Sequence, residues 1–170
     1  IRGFIYTFHM PLFFLISGML IQRTAQNRDI WKWWLGKVKR LLLPYVVLSL
    51  VAFIPKVFVS SYISDDMVLS ISNIIHILLV PRANVWGHFW FIPVYLVLSL
   101  IGAFLSKYMM KCSNFVMGGV LVVSMLLNLF PVDIAWLGIK DISEMLFYVI
   151  LGIALYRIIE KHTKSIFDIR

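Results

Sequence analysis

The sequence predicts an all-α membrane protein: a polytopic helical bundle with about five transmembrane helices and one interfacial helix. Two observations lead to this prediction. The composition is 61% hydrophobic and 14% charged, and the mean hydropathy is +0.91. A soluble domain has about 25% charged and about 45–50% apolar residues. The apolar residues also form long runs, and a helix needs roughly 20 of them to cross a bilayer at about 1.5 Å per residue.

Five apolar runs are predicted as spans. In chain order they are residues 4–21, 41–59, 84–106, 112–132 and 142–158. Residues 60–83 then form an outer loop. Within this loop the apolar run 67–81 contains polar residues and is too short for a comfortable span, so it is predicted as a re-entrant or interfacial segment.

The positions of the 16 Lys and Arg residues determine the predicted topology. If segment 67–81 does not cross the membrane, twelve of these cations lie on one side and four on the other. If it does cross, the split becomes eight to eight. Cytoplasmic loops carry an excess of Lys and Arg, so five spans are favoured. We therefore predict a multi-pass protein of the cell membrane with a cytoplasmic C-terminal tail.

Composition also argues against several other classes of protein. The formal net charge is +8, but the cations cluster at the ends of apolar runs and so do not indicate a nucleic-acid partner. Cys112 is the single cysteine, which excludes a disulfide within the chain and predicts no metal cluster. Ile1 leads directly into an apolar run without a methionine or a signal-peptide pattern. We therefore expect a fragment that lacks its start.

Segment 22–40 is predicted as a cytoplasmic loop that contains the interfacial helix. From Ile30 onwards, apolar residues recur at i, i+3, i+4 and i+7, while Lys39 and Arg40 lie on other faces. Two interpretations stand. The cations anchor the helix to anionic lipids, or they also hold the phosphates of an anionic cofactor that arrives from the cytoplasm. Lys and Arg serve both purposes, so their spacing alone does not separate the two.

The stretch FHMPLFFLISG, residues 8–18, places His9 and Pro11 inside the first span. Pro11 has no N–H, a loss that a membrane helix tolerates only where protein or water satisfies the freed carbonyl. An ionisable group within a span is a functional candidate by default. Ser17 and Gly18 are small enough to allow close helix packing. These residues either line a pocket or form a kinked, tightly packed helix.

The same stretch resembles the hallmark of the acyltransferase 3 family, particularly its sugar O-acetylase branch, which is similar to fucose 4-O-acetylases. Three further pieces fit in order: KRLLLPY at 39–45, HFWFIPVYL at 88–96 and FYVILGIAL at 147–155. The resemblance covers nearly the whole chain but only about the first half of such a protein. It implies an integral-membrane O-acyltransferase that moves an acyl group, acetyl in this branch, from acyl-CoA to a hydroxyl of a cell-envelope saccharide. No metal is implied.

The resemblance also indicates where the site residues lie. In the family, the expected general base is a histidine on a helix that would precede residue 1, so this fragment is expected to lack its base. His9, Pro11 and Ser17 become candidate pocket residues. Trp90 is a fourth candidate, either as a saccharide platform or as an interfacial aromatic residue. Lys39 and Arg40 are the candidates for binding the phosphates of acyl-CoA.

Two other functional classes remain as alternatives. A glycolipid or saccharide transporter, or a flippase, would share the helices and the intramembrane histidine, but it typically shows repeated halves. No second copy is visible in the sequence. A non-catalytic membrane subunit would not explain His9 and Pro11 in the first span. The predicted partners are membrane lipids, acyl-CoA and a saccharide acceptor, with no nucleic acid.

Overall fold

The computed structural model describes residues 2–25, 28–60, 72, 75–76, 79–80, 82, 87–109, 114–134 and 136–167. These residues are helical apart from short connections, and they contain no strand. The all-α prediction is confirmed for this part of the chain. The α-helices of the described residues are α1 (Arg2–Ala25), α2 (Ile30–Ser60), α3 (Phe91–Met109), α4 (Asn114–Leu129) and α5 (Ile139–Phe167). Short 3-10 turns at Gly87–Trp90 and Trp136–Gly138 precede α3 and α5.

Each predicted span corresponds to one helix, although the ends differ. The predicted interfacial helix and the second span are continuous, because α2 runs from Ile30 through Pro44 without interruption. Two segments, Phe91–Tyr108 and Trp136–Thr163, are long and apolar enough to cross a membrane, and Phe115–Leu129 is a shorter apolar helix. The count of five spans therefore stays a prediction. Most of the predicted outer loop, including most of the run 67–81, lies outside the described residues.

Contacts between aromatic and small residues give the relative directions of the helices. On α1, the Phe13 ring lies 5.8 Å from that of Phe91, at the start of α3. Further along α1, Ile21 lies beside Gly102, further along α3. Because both positions advance together, α1 and α3 run in the same direction. Gly102 also lies beside Val149 and Ile153 in the middle of α5. Arg82 contacts both Trp90, just before α3, and Asp141, at the start of α5, so α3 and α5 run in the same direction.

The remaining two helices run the opposite way. On α2, Trp31 packs edge-on against Phe104 near the end of α3, whereas Lys37 reaches Tyr95 near its start. At the start of α4, Met117 contacts Arg157 near the end of α5. Near the end of α4, Asn128 donates to the carbonyl oxygen of Glu144 near the start of α5, so α4 and α5 are antiparallel. The direction of the chain therefore alternates from α1 to α5.

The core lies where α1, α3 and α5 pack together. Its fully buried side chains include Phe14 on α1, Val94 and Leu98 on α3, and Val149 and Ile153 on α5. Helix α2 packs mainly on α3, and α4 packs mainly on α5. The outer faces of these two helices keep many large apolar side chains exposed, including Leu43 at 65% and Leu129 at 57%. Such exposure suits a bundle whose surrounding solvent is lipid.

Two glycines allow α1 and α5 to cross at backbone contact. A Cβ atom at Gly18 would lie 2.1 Å from the carbonyl oxygen of Val149. A Cβ atom at Gly152 would lie 2.0 Å from the carbonyl oxygen of Leu15. The close packing that the sequence suggested for Gly18 is therefore present, and Gly152 is its partner. Pro11 lies inside α1, which remains helical from Arg2 to Ala25.

Candidate functional site

The four predicted pocket residues occupy different environments. His9 is exposed on α1, and Pro11 is partly buried. Ser17 is buried in the bundle at 6% exposure. Trp90 is buried at 7% exposure, and the guanidinium carbon of Arg82 lies 4.8 Å from its ring centre. None of the four lines the open clefts described below, so their role in a pocket stays a prediction.

An open cleft with four cations lies between the ends of α1, α2 and α3. Its volume is about 470 Å³, and we call it the basic cleft. The cations are Arg28, Lys32, Lys37 and Arg40, all from the first cytoplasmic segment predicted from the sequence. The other lining residues are uncharged: Leu20, Thr24, Trp33, Gly36 and Tyr95. With no acidic lining residue, the cleft is built to attract an anion.

Lys37 is the best-fixed cation of the basic cleft. Its Nζ donates a hydrogen bond of 2.5 Å to Tyr95 Oη. The same atom lies 4.1 Å from the ring centre of Trp33 and 4.8 Å from that of Tyr95. Burial lowers the pKa of Lys37 to about 8, because the charged amine has lost part of its hydration. This one lysine therefore changes charge near physiological pH.

The aromatic residues of the interfacial segment hold α2 against α3. Trp34 Nε1 donates a hydrogen bond of 2.9 Å to the carbonyl oxygen of Leu96. Trp31 stays 55% exposed, as an interfacial anchor would be, although its ring edge meets Phe104. The segment thus combines a membrane-facing side with a wall of the basic cleft, and the two interpretations given for it are compatible.

Sequence reasoning selected Lys39 and Arg40, and the structure separates them. Arg40 lines the basic cleft, whereas Lys39 is exposed and does not. The sequence pattern could have indicated Lys32 as well. Lys32, Gly36 and Arg40 are spaced four residues apart and therefore share one helix face. Lys37 lies beside them. Tyr95 had no such signal, since its role depends on the packing of α3 against α2.

A second polar cluster lies at the opposite end of the bundle. Arg82 donates to both carboxylate oxygens of Asp141, from Nε at 2.9 and 3.1 Å and also from Nη2. The Asp141 side chain is only 3% exposed, whereas that of Arg82 is 57% exposed. The hydrogen bond to Asp141 raises the pKa of Arg82, so the guanidinium stays charged. This pair fastens Arg82, in the predicted outer loop, to the start of α5.

Acidic, histidine and cysteine side chains do not gather into a metal site within the described ranges. The arrangement therefore presents a cationic cleft at one end of the bundle and a carboxylate–guanidinium pair at the other.

Comparison with known proteins identifies the family of the chain. The family model described as an acyltransferase domain matches residues 1–167 of the chain. No curated protein and no solved structure matches the chain. The match spans nearly the whole sequence, and it agrees with the apolar helices and with the resemblance of residues 8–18. Acyl transfer within a membrane is the general activity of this family. The chain therefore belongs to the acyltransferase 3 family of membrane acyltransferases.

Proposed function

We propose that this chain is the donor-binding part of a membrane O-acyltransferase that moves an acyl group, acetyl in the simplest case, from acyl-CoA to a hydroxyl of a cell-envelope saccharide. The observation that carries the proposal is the basic cleft. The CoA portion of the donor bears several phosphate charges, and clustered Lys and Arg side chains are the groups that bind phosphate in proteins.

The location of the cleft supports a donor that arrives from the cytoplasm. The cleft lies at the same end of the bundle as Lys107 and Lys161, which belong to the cation-rich side in the five-span prediction. Helix α3 runs antiparallel to α2, so α2 ends and α3 begins at the same end of the bundle. This geometry supports a segment 67–81 that does not cross the membrane.

Acyl transfer also requires a general base and hydrogen-bond donors to the carbonyl oxygen. The acceptor oxygen attacks the thioester carbonyl while a base takes the hydroxyl proton, the C–S bond breaks, and CoA leaves as a thiolate that recovers this proton from the base. Donors to the carbonyl oxygen stabilise the negative charge that develops on it. The base is expected from the helix that the family resemblance places before residue 1. His9 and Pro11 are proposed to shape the acceptor side of the pocket.

A pair of adjacent cations gives a matched test of the donor site. Arg40→Gln in the complete protein should raise the KM for acetyl-CoA about tenfold, because an Arg–phosphate hydrogen bond between charged groups is lost. Lys39→Gln removes the same charge one residue away and should have a clearly smaller effect. Steady-state kinetics with a saturating saccharide acceptor measure both. Equal KM values in the two variants and the wild type would contradict the assignment of the basic cleft.

The lowered pKa of Lys37 gives a pH-dependent test of the same site. The Lys37 amine is mostly charged below about pH 8 and mostly neutral above it. Affinity for free CoA should therefore fall as the pH rises from about 7 to about 9. Lys37→Arg should flatten this dependence, because arginine does not deprotonate in that range. An equally steep dependence in Lys37→Arg would show that another group is responsible.

A further inference from the structure

We propose that a groove between the start of α4 and the end of α5 binds an anionic phospholipid, with its phosphate on Arg157 and Lys161. The groove measures about 380 Å³ and is separate from the basic cleft. Three residues that can carry positive charge line it: Arg157, Lys161 and His162. The other two lining residues, Met117 and Ile158, are apolar. The lining therefore suits a ligand with an anionic head and an apolar body.

The outer face of α4, the helix that carries Met117, is apolar. Helix α4 packs mainly on α5, and among the described residues nothing packs closely on its other face. Exposed apolar residues follow this face along the helix: Val122 at 59%, Met125 at 49%, Leu126 at 52% and Leu129 at 57%. A free phosphate ion would use only the cations. A phospholipid uses both features, because its acyl chains can lie along α4 while its head remains at the helix ends.

The groove lies at the end of the last predicted span, 142–158, where a membrane boundary is expected. The start of α4 and the end of α5 meet at the end of the bundle that also carries the basic cleft. Arg157 Nη1 lies 3.9 Å from the Met117 sulfur, which joins the polar and apolar halves of the groove. Lys161 follows Arg157 by one helical turn, so both cations lie along the same side of α5. A phosphate between them would be held from two points.

Native mass spectrometry of the complete protein in a nonionic detergent tests the proposal. Wild-type protein should bind phosphatidylglycerol about tenfold more tightly than phosphatidylcholine with the same chains, since two cations contribute at the site. The double variant Arg157→Gln/Lys161→Gln should lose this preference. A second double variant, Arg23→Gln/Lys107→Gln, removes two exposed cations at the same end that do not line the groove, and it should keep the preference.

Two further titrations separate a lipid from a simple anion. Dioctanoyl phosphatidylglycerol should bind at least about tenfold more tightly than the dihexanoyl form, because the longer chains bury more apolar surface. Millimolar inorganic phosphate should displace neither lipid completely. The proposal is overturned if phosphate competes fully, if chain length has no effect, or if both double variants lose the preference equally. The basic cleft has different residues, so none of these results bears on the proposed donor site.

Discussion

Replacing Gly152 by alanine should prevent the bundle from packing as it does. The added Cβ would lie 2.0 Å from the carbonyl oxygen of Leu15 and 3.1 Å from Gly18 Cα. These atoms belong to the backbone of α1, so no side-chain rotation relieves the clash. Overpacking of a core typically costs about 1–3 kcal/mol, and displacement of a whole helix should cost more than about 3 kcal/mol. We expect a strongly lowered melting temperature in detergent and little folded protein.

Two other glycines provide matched controls for this substitution. Gly118 and Gly119 lie within α4, and a Cβ atom at either position would meet no neighbouring atom within 4 Å. Alanine in place of a glycine inside a helix stabilises it by roughly 0.5–1 kcal/mol. Gly118→Ala should therefore melt at the wild-type temperature or slightly above. Similar melting of Gly152→Ala and Gly118→Ala would disprove the close crossing of α1 and α5.

Replacing Arg82 by alanine should destabilise the protein more than the exposure of Arg82 suggests. The substitution removes the guanidinium that hydrogen-bonds both oxygens of the buried Asp141 carboxylate. Removing one partner of a buried ion pair costs about 3–5 kcal/mol, because the other charge remains buried alone. Water reaches Arg82, so we expect a loss towards the lower end of this range. Loss of the contact between the guanidinium and the Trp90 ring adds a smaller amount.

Asp141 is buried and Arg82 is exposed, so removing either side chain should have a different cost. Asp141→Asn leaves Arg82 in contact with water and should cost less than Arg82→Ala. The double variant Arg82→Ala/Asp141→Asn should be more stable than Arg82→Ala alone, because it no longer buries an unpaired carboxylate. Chemical unfolding of the four proteins measures this coupling.

A surface ion pair nearby serves as the control for that series. Lys140 and Asp133 are 2.8 Å apart, but their side chains are 42% and 86% exposed. Exposed pairs contribute little to stability, so Lys140→Ala should change the unfolding curve only slightly. If Arg82→Ala behaves like Lys140→Ala, the link between the outer loop and α5 is not a stabilising one.

The sequence predicts those features of the fold that depend on the residues of a single helix. Each apolar run predicted as a span overlaps one helix of the described residues, and the small side chain of Gly18 correctly indicates a close helix contact. The sequence also predicts the amphipathic segment, but it separates this segment from the second span, whereas α2 is one continuous helix. Near Leu41 the amphipathic pattern gives way to a continuous apolar run, while the backbone remains helical. The periodicity shows where the pattern changes but not whether the helix ends there.

Features that depend on two helices could not be read from the chain. Tyr95 joins the basic cleft because α2 and α3 are antiparallel, and Gly152 meets α1 because α5 crosses it. Arg82 and Asp141 are 59 positions apart, so no local pattern in the sequence connects them. Of the two predicted phosphate-binding residues, only Arg40 lines the cleft, because a helix turns adjacent residues about 100° away from one another.

The central claim is that the basic cleft binds the phosphates of the acyl donor, and equilibrium binding of free CoA to the complete protein tests it without turnover. Wild-type protein should bind CoA more tightly than dephospho-CoA, and its affinity should fall as salt is added. The double variant Lys32→Gln/Arg40→Gln should bind CoA at least about tenfold more weakly and discriminate less between the two ligands, while Arg23→Gln/Lys107→Gln should resemble wild type. Unchanged CoA affinity in Lys32→Gln/Arg40→Gln would contradict the claim.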